Sequence, residues 1–175
     1  MLTNNFYSAL AQNMVGTVKS NSIKNTSGSL TTLSNAAGGY LPFFISGQNY
    51  KVDLSRVREA YDGTHGGVVF GDGDTPATAE DYKLAGNIIT GIVATANLAR
   101  SIDNGVAQIV ATYTINASSE VTIKEITAFT NAGVSNYYIV DRTVLDEPVT
   151  IPAGGIGQVV YTITFNYPTA TTETN

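Results

Sequence analysis

The last third of the chain alternates apolar and polar side chains with a period of two, and that pattern limits the fold more than any other feature. In the stretch from Ile156 to Tyr167, Val159, Tyr161, Ile163 and Phe165 alternate with Val160, Thr162, Thr164 and Asn166. A strand turns successive side chains to opposite faces, so this is a strand with one buried face. Ile109, Ala111, Tyr113 and Ile115 share one parity within Val106 to Ile115 in the same way. Further strands are expected at Val121 to Phe129 and at Tyr137 to Val144. Turns are expected at Asn116 to Ser119 and at Pro152-Ala153-Gly154-Gly155, where glycine permits positive φ. Short strands separated by Gly, Pro and Asn turns indicate a mainly β fold, an antiparallel β-sandwich of Ig-like or jelly-roll-like type with short helices.

One strand breaks the pattern. Val121 and Ile123 share a parity, whereas Ile126 and Ala128 have the other. A β-bulge near Lys124-Glu125 restores a single apolar face. The alternative is a strand covered on both sides, in which case Glu125 needs a cation, with Arg142 or Arg100 as candidates.

The front of the chain is different. Asn4 to Val15 spaces Phe6, Leu10 and Met14 four apart, on one face of a short helix. Such a stripe needs a partner surface, either on its own domain or on a neighbouring subunit. Gly16 to Gly39 is rich in Ser, Thr, Asn and Gly and cannot build a core. Met1 to Val52 holds three cations (Lys19, Lys24, Lys51) and no acid, whereas the remainder holds six cations and fourteen acids. The expected organisation is an extended N-terminal arm for assembly contacts over residues 1–50, a β-sandwich over 51–168 and a flexible tail over 169–175. Phe6, Leu10, Met14, Lys19 and Lys24 are the expected assembly contacts. Val68 to Phe70 reads as a short buried strand. Ser55 to Asp62 reads as one or two helical turns, and Thr78 as the cap of another, with Asp81 as its capping-box partner. Asn87 to Arg100 fits either strand or helix.

The chain has no cysteine, which removes disulfides and thiolate metal sites, and 13% charged residues. Interface cores are depleted in charge in the same manner. A net charge of −5 argues against direct nucleic-acid binding. No apolar run reaches the roughly 20 residues of a membrane span. The one histidine, His65, lies in a Gly-rich segment and is expected at the surface. Gly71-Asp72-Gly73-Asp74, with Glu80 and Asp81 nearby, offers a weak calcium loop through Asp72 and Asp74, though it lacks EF-hand spacing. A plain Asp-Gly turn accounts for the same residues. Asp141, Asp146 and Glu147 flank strand ends and are given no catalytic role. No cofactor is expected.

Three stretches, VVFGDGDTPATAEDYKL, SSEVTIKEITAFTN and DRTVLDEPVTIPAGGIGQVVYTITF, together resemble small virion structural proteins of tailed bacteriophages over roughly Val68 to Phe165. The resemblance implies a virion part made in the host cytoplasm: a head decoration or cement protein, or a neck, collar, tail or fibre component. It implies no catalytic residue. The partners would be major capsid, neck or tail proteins and further copies of the chain. A carbohydrate-binding adhesion module is the rival reading, with Tyr137-Tyr138 as its aromatic candidates.

Overall fold

The computed structural model describes residues 1–15, 21–32, 52–62, 66–131 and 136–166. The fold is mainly β, with antiparallel sheets. Helix α1 (Asn4–Val15) is followed by the two-residue strands β1 (Ile23–Lys24) and β2 (Leu30–Thr31). The longer strands are β3 (Gly67–Gly71), β4 (Ile92–Asp103), β5 (Val106–Ala117), β6 (Val121–Asn131), β7 (Tyr137–Ile151) and β8 (Ile156–Asn166). They form two three-stranded sheets, ordered β3-β6-β7 and β4-β5-β8.

Turn chemistry accounts for the connections. Asn104 and Gly105 both have positive φ (42° and 81°) and join β4 to β5, the arrangement for which an Asn-Gly pair is suited. Pro152 to Gly155 carries the chain from β7 to β8. Gly155 N–H donates to the Pro152 carbonyl (2.8 Å), and Gly154, at φ 70°, donates to the Ala117 carbonyl (2.8 Å). Asn87 to Arg100 resolves as strand from Ile92, where β-branched residues pair with β5.

The alternation expected of β5 and β8 is present. Ala111, Tyr113 and Ile115 are buried from one sheet, as are Val159, Tyr161 and Ile163. They share one apolar cluster with Val68, Phe70, Ile126 and Ala128 of the other sheet. Phe70 meets Tyr113 edge-on, with centroids 5.4 Å apart. The Tyr113 hydroxyl donates to the Leu54 carbonyl at 2.8 Å, so its polar tip is satisfied inside the core.

Strand β6 is buried on both faces from Glu125 to Asn131. Ile126 and Ala128 face the main cluster, while Phe129 joins Val69, Leu84 and Ile139 in a second one. Tyr61 closes over that second cluster, edge-on to Phe129 at 5.3 Å. The register of β6 on β7 shifts between Ile123 and Glu125, at the parity break. The extra residues come from β7, because Ile123 pairs with Val149 and Glu125 with Val144.

Two expected short helices are absent. Residues 53–56 form a turn, Arg56 N–H to Asp53 carbonyl at 3.0 Å, and Val57 then bridges to Val68 alongside β3. Thr78 to Asp81 is likewise a turn, closed by the Asp81 N–H on the Thr78 carbonyl (3.3 Å). One of the two capping-box contacts forms, Thr78 N–H to the Asp81 carboxylate, but the residues after it turn away to place Leu84 in the second cluster.

The described residues at the front of the segment expected as an arm over residues 1–50 pack within their own subunit. Leu2 bridges to Asp141, Thr3 N–H donates to the Val140 carbonyl (3.0 Å), and the Thr3 hydroxyl donates to the Ile139 carbonyl (2.9 Å). Residues 1–3 thereby extend the sheet beyond β7. Phe6 is buried in the main cluster and lies 6.1 Å from Phe165, and Leu10 packs against that cluster. The Asn5 side chain accepts from Lys24 N–H (2.8 Å) and donates to its carbonyl (2.7 Å). The physical reason is the helix stripe itself, which finds its apolar surface within its own subunit. Lys19, residues 33–51 and residues 167–175 lie outside the described residues, as does the Met14 side chain. Phe6→Ala is expected to cost about 3 kcal/mol, measured by urea unfolding. An unchanged midpoint would show that the helix contributes nothing to the body.

Candidate functional site

The densest polar constellation lies on the outer side of β3-β6-β7, under the loop from Asp72 to Asn87. Glu125, fully buried on β6, projects into this loop. Its Oε1 accepts from Gly73 N–H (3.1 Å) and Gly86 N–H (2.7 Å), and its Oε2 from Ala85 N–H (3.1 Å). Arg142 of β7 donates Nε to Glu125 Oε2 at 2.6 Å, Nη1 to Asp81 Oδ2 at 2.8 Å and Nη2 to the Thr75 carbonyl at 2.8 Å. Asp81 in turn accepts from the Thr78 N–H and hydroxyl, each at 2.9 Å.

The loop's glycines follow from this arrangement. A Cβ on Gly73 would collide with Glu125 Oε1 and the Gly86 nitrogen, and one on Gly86 with Asp72 Oδ1 and the Gly73 nitrogen. The backbone must approach the carboxylate closely, and only glycine allows it. Burial opposes the charge of Arg142. The hydrogen bonds and negative charges of Asp81 and Glu125 outweigh it and raise the guanidinium pKa. Burial likewise works against the Asp81 carboxylate, but the Thr78 N–H and Arg142 hold its pKa below the ordinary 3.8.

The three members of this clamp come from well-separated parts of the sequence: Asp81 from the loop, Glu125 from β6 and Arg142 from β7. The pairing of Glu125 with Arg142 is the covered-strand alternative drawn from the parity break. Asp81 as a second partner of Arg142 carried no sequence signal beyond its place in the capping box.

The loop's other acids diverge. Asp72 accepts from the N–H (2.6 Å) and side-chain amide (3.2 Å) of Asn87, and Asp74 pairs with Lys124 at 3.0 Å. Hydrogen bonds from Asn87 lower the Asp72 pKa, and Lys124 lowers that of Asp74. Among the described residues no three His, Cys, Asp or Glu side chains are placed to hold a metal. Asp72 and Asp74 thus engage separate partners, Asn87 and Lys124.

Asp141 performs a similar structural task between the sheets. Its Oδ2 accepts from the Tyr161 hydroxyl (2.6 Å) and the Thr143 hydroxyl (2.9 Å), and its Oδ1 lies 2.9 Å from the Met1 ammonium. Burial and the Asp141 charge push the Tyr161 pKa well up. Asp146 and Glu147 are exposed on β7. Tyr138 is buried and Tyr137 packs on Phe129, centroids 6.0 Å apart, so this pair forms no open aromatic platform. Lys24 sits over the Tyr82 ring at 4.2 Å, within its own subunit. His65 lies outside the described residues.

The exposed surface of β4-β5-β8 contrasts with this interior. Its outward positions form six registered rows of three, from Val93-Asn116-Ile156 to Asp103-Val106-Asn166. Asp103 is the only charged residue among them. Val93, Ile156 and Val160 stand on this face, each more than half exposed. On the inner parity of β4 the cover fades toward the hairpin turn: Ile92 is buried, Ala94 and Ala96 are half-buried, and Leu98 and Ile102 are exposed. A cavity of about 430 Å³ opens there, lined by Leu98, Ile102, Ala107, Ile109 and Phe165 among others.

No family model, no curated protein and no solved structure matches the chain.

Removing one member of a buried ion pair leaves the other uncompensated. Glu125→Leu or Arg142→Met alone is expected to cost about 3–5 kcal/mol, whereas the double variant should lose clearly less than the two single losses combined. Denaturant titration of all three proteins reads this coupling, and simple additivity would count against it. Because the folded-state pKa of Asp81 is depressed, its contribution is complete above the unfolded value of 3.8 and is lost as pH falls through the lower folded value. Wild-type stability should therefore decline below about pH 4 more steeply than that of Asp81→Asn, as followed by urea midpoints across pH.

Proposed function

We propose that the chain is a non-catalytic structural subunit of a virion, an antiparallel β-sandwich that serves as a capsid decoration or cement protein of a tailed bacteriophage. A neck, collar, tail or fibre position is the variant of the same reading. The observation that carries it is the face of β4-β5-β8, where one charged residue stands among six rows of three. A solvated face normally carries interspersed charges. A charge-poor face with exposed Val93, Val160 and Ile156 suits burial against protein.

The interior supports the same view. Glu125, Asp81 and Arg142 bind one another and the loop backbone, and Asp141 binds Tyr161 and Thr143. These groups act as fasteners. The sandwich reading rests on the apolar cluster to which both sheets contribute inward side chains. The phage assignment rests on the resemblance of the three stretches that meet at the clamp.

Mass spectrometry of gradient-purified particles tests the proposal. The protein should be recovered at a copy number set by the particle's symmetry, and purified protein should add to shells that lack it. Recovery only from the soluble fraction of the lysate would overturn the assignment.

A further inference from the structure

We propose that the free edge of β4 pairs with β4 of a second copy of this chain, antiparallel about a two-fold axis near Leu98. The inference rests on the assembly reading above and names one partner for it. Among the described residues, strand β4 is the outer strand of its sheet over twelve residues, paired on one side by β5. Ser118 N–H donates to the Gly91 carbonyl at 2.9 Å, which fixes the odd-numbered residues as those bonded to β5. The even-numbered residues therefore turn their N–H and C=O groups outward. Ile92 N–H already donates to Glu59 (3.1 Å), so the open stretch runs from Ala94 to Ile102.

Natural edge strands are normally blunted by Lys, Pro or bulges, because a bare edge is a template for another strand. The open stretch has no proline, no lysine and no acid; Arg100 is its one charge. Leu98 and Ile102 are 47% and 74% exposed on it. Placing Leu98 on the axis sets Ala94 of one copy against Ile102 of the other, and Ala96 against Arg100. Small residues then face large ones, no like charges stand opposite, and the inner faces of the two sheets become continuous.

The area sets the strength. A contact of about ten residues, ~33 Å long and ~10 Å deep, buries roughly 700 Å² over both copies, below the ~1,200 Å² of a stable interface. The pairing is therefore weak between free molecules and firm when many copies are held together.

Sedimentation velocity over a concentration series reads this directly. Wild-type protein should dimerise only at high concentration, Leu98→Lys should weaken the dimer by about tenfold or more, and Val160→Lys, on the other edge strand, should leave it unchanged. The chain has no cysteine, so Leu98→Cys introduces a single thiol. Under oxidation it should form disulfide dimers at least about tenfold faster than Val160→Cys. A monomer at every concentration, equal cross-linking of the two variants, or an unaffected Leu98→Lys dimer would overturn the proposal. So would a monomer whose β4 edge amides resist hydrogen exchange, which would assign the edge to another segment of the same chain. Failure here with recovery in particles leaves the structural role intact. A dimer from a protein absent from particles removes that role instead.

Discussion

The buried carboxylate of Glu125 is the constraint around which the outer half of the molecule is arranged. A charge with no access to water is tolerated only when its lone pairs are filled. Three backbone N–H groups, drawn from both ends of a loop that has little regular structure of its own, and the Arg142 guanidinium of β7 fill them here. The loop lies where it does because the carboxylate needs it there. Arg142 applies the same logic in the other direction, using three nitrogens to reach a strand, a turn and a main-chain carbonyl. Such a pair adds little net stability over an apolar replacement. Its value lies in fixing one arrangement of the loop against many.

This division places charge and chemistry inside, in fixed pairs, and leaves one sheet with a plain exterior of Thr, Asn, Gln and small apolar residues. The exterior is regular because β4, β5 and β8 pair without a register shift over eleven or twelve residues. The opposite sheet is irregular because it carries the clamp, and β7 must bulge twice to present Arg142 and Asp141 as it does.

Much of this was legible in the sequence, and for identifiable reasons. Strands β5 and β8 have one wet face and one dry face, so their alternation is clean. Of the two readings of the parity break in β6, the structure has the covered strand with Glu125 paired to Arg142; the register shift there adds its residues on β7 and does not restore a single apolar face. The Asn104-Gly105 hairpin is equally legible, as a dipeptide suited to two positive φ angles. Other features were not legible. The turns at residues 53–56 and 78–81 look like helix starts because capping contacts and turn contacts are the same local bonds. The path of the chain beyond each turn is decided by Val68 and by the second apolar cluster, whose members are far apart in sequence. The polar composition after α1 suggested an arm, but composition says nothing of where Phe6 finds its pocket.

The docking of residues 1–3 on β7 has a consequence for the order in which the molecule is made. The Thr3 hydroxyl donates to a carbonyl 136 positions later. Synthesis at about 5–20 residues per second leaves the leading helix without its site for many seconds. Through that interval Phe6 and its neighbours travel exposed on a growing chain, and the sheets must close before the first turn of helix can settle. A segment made 136 positions before its partner thus settles only when β7 arrives.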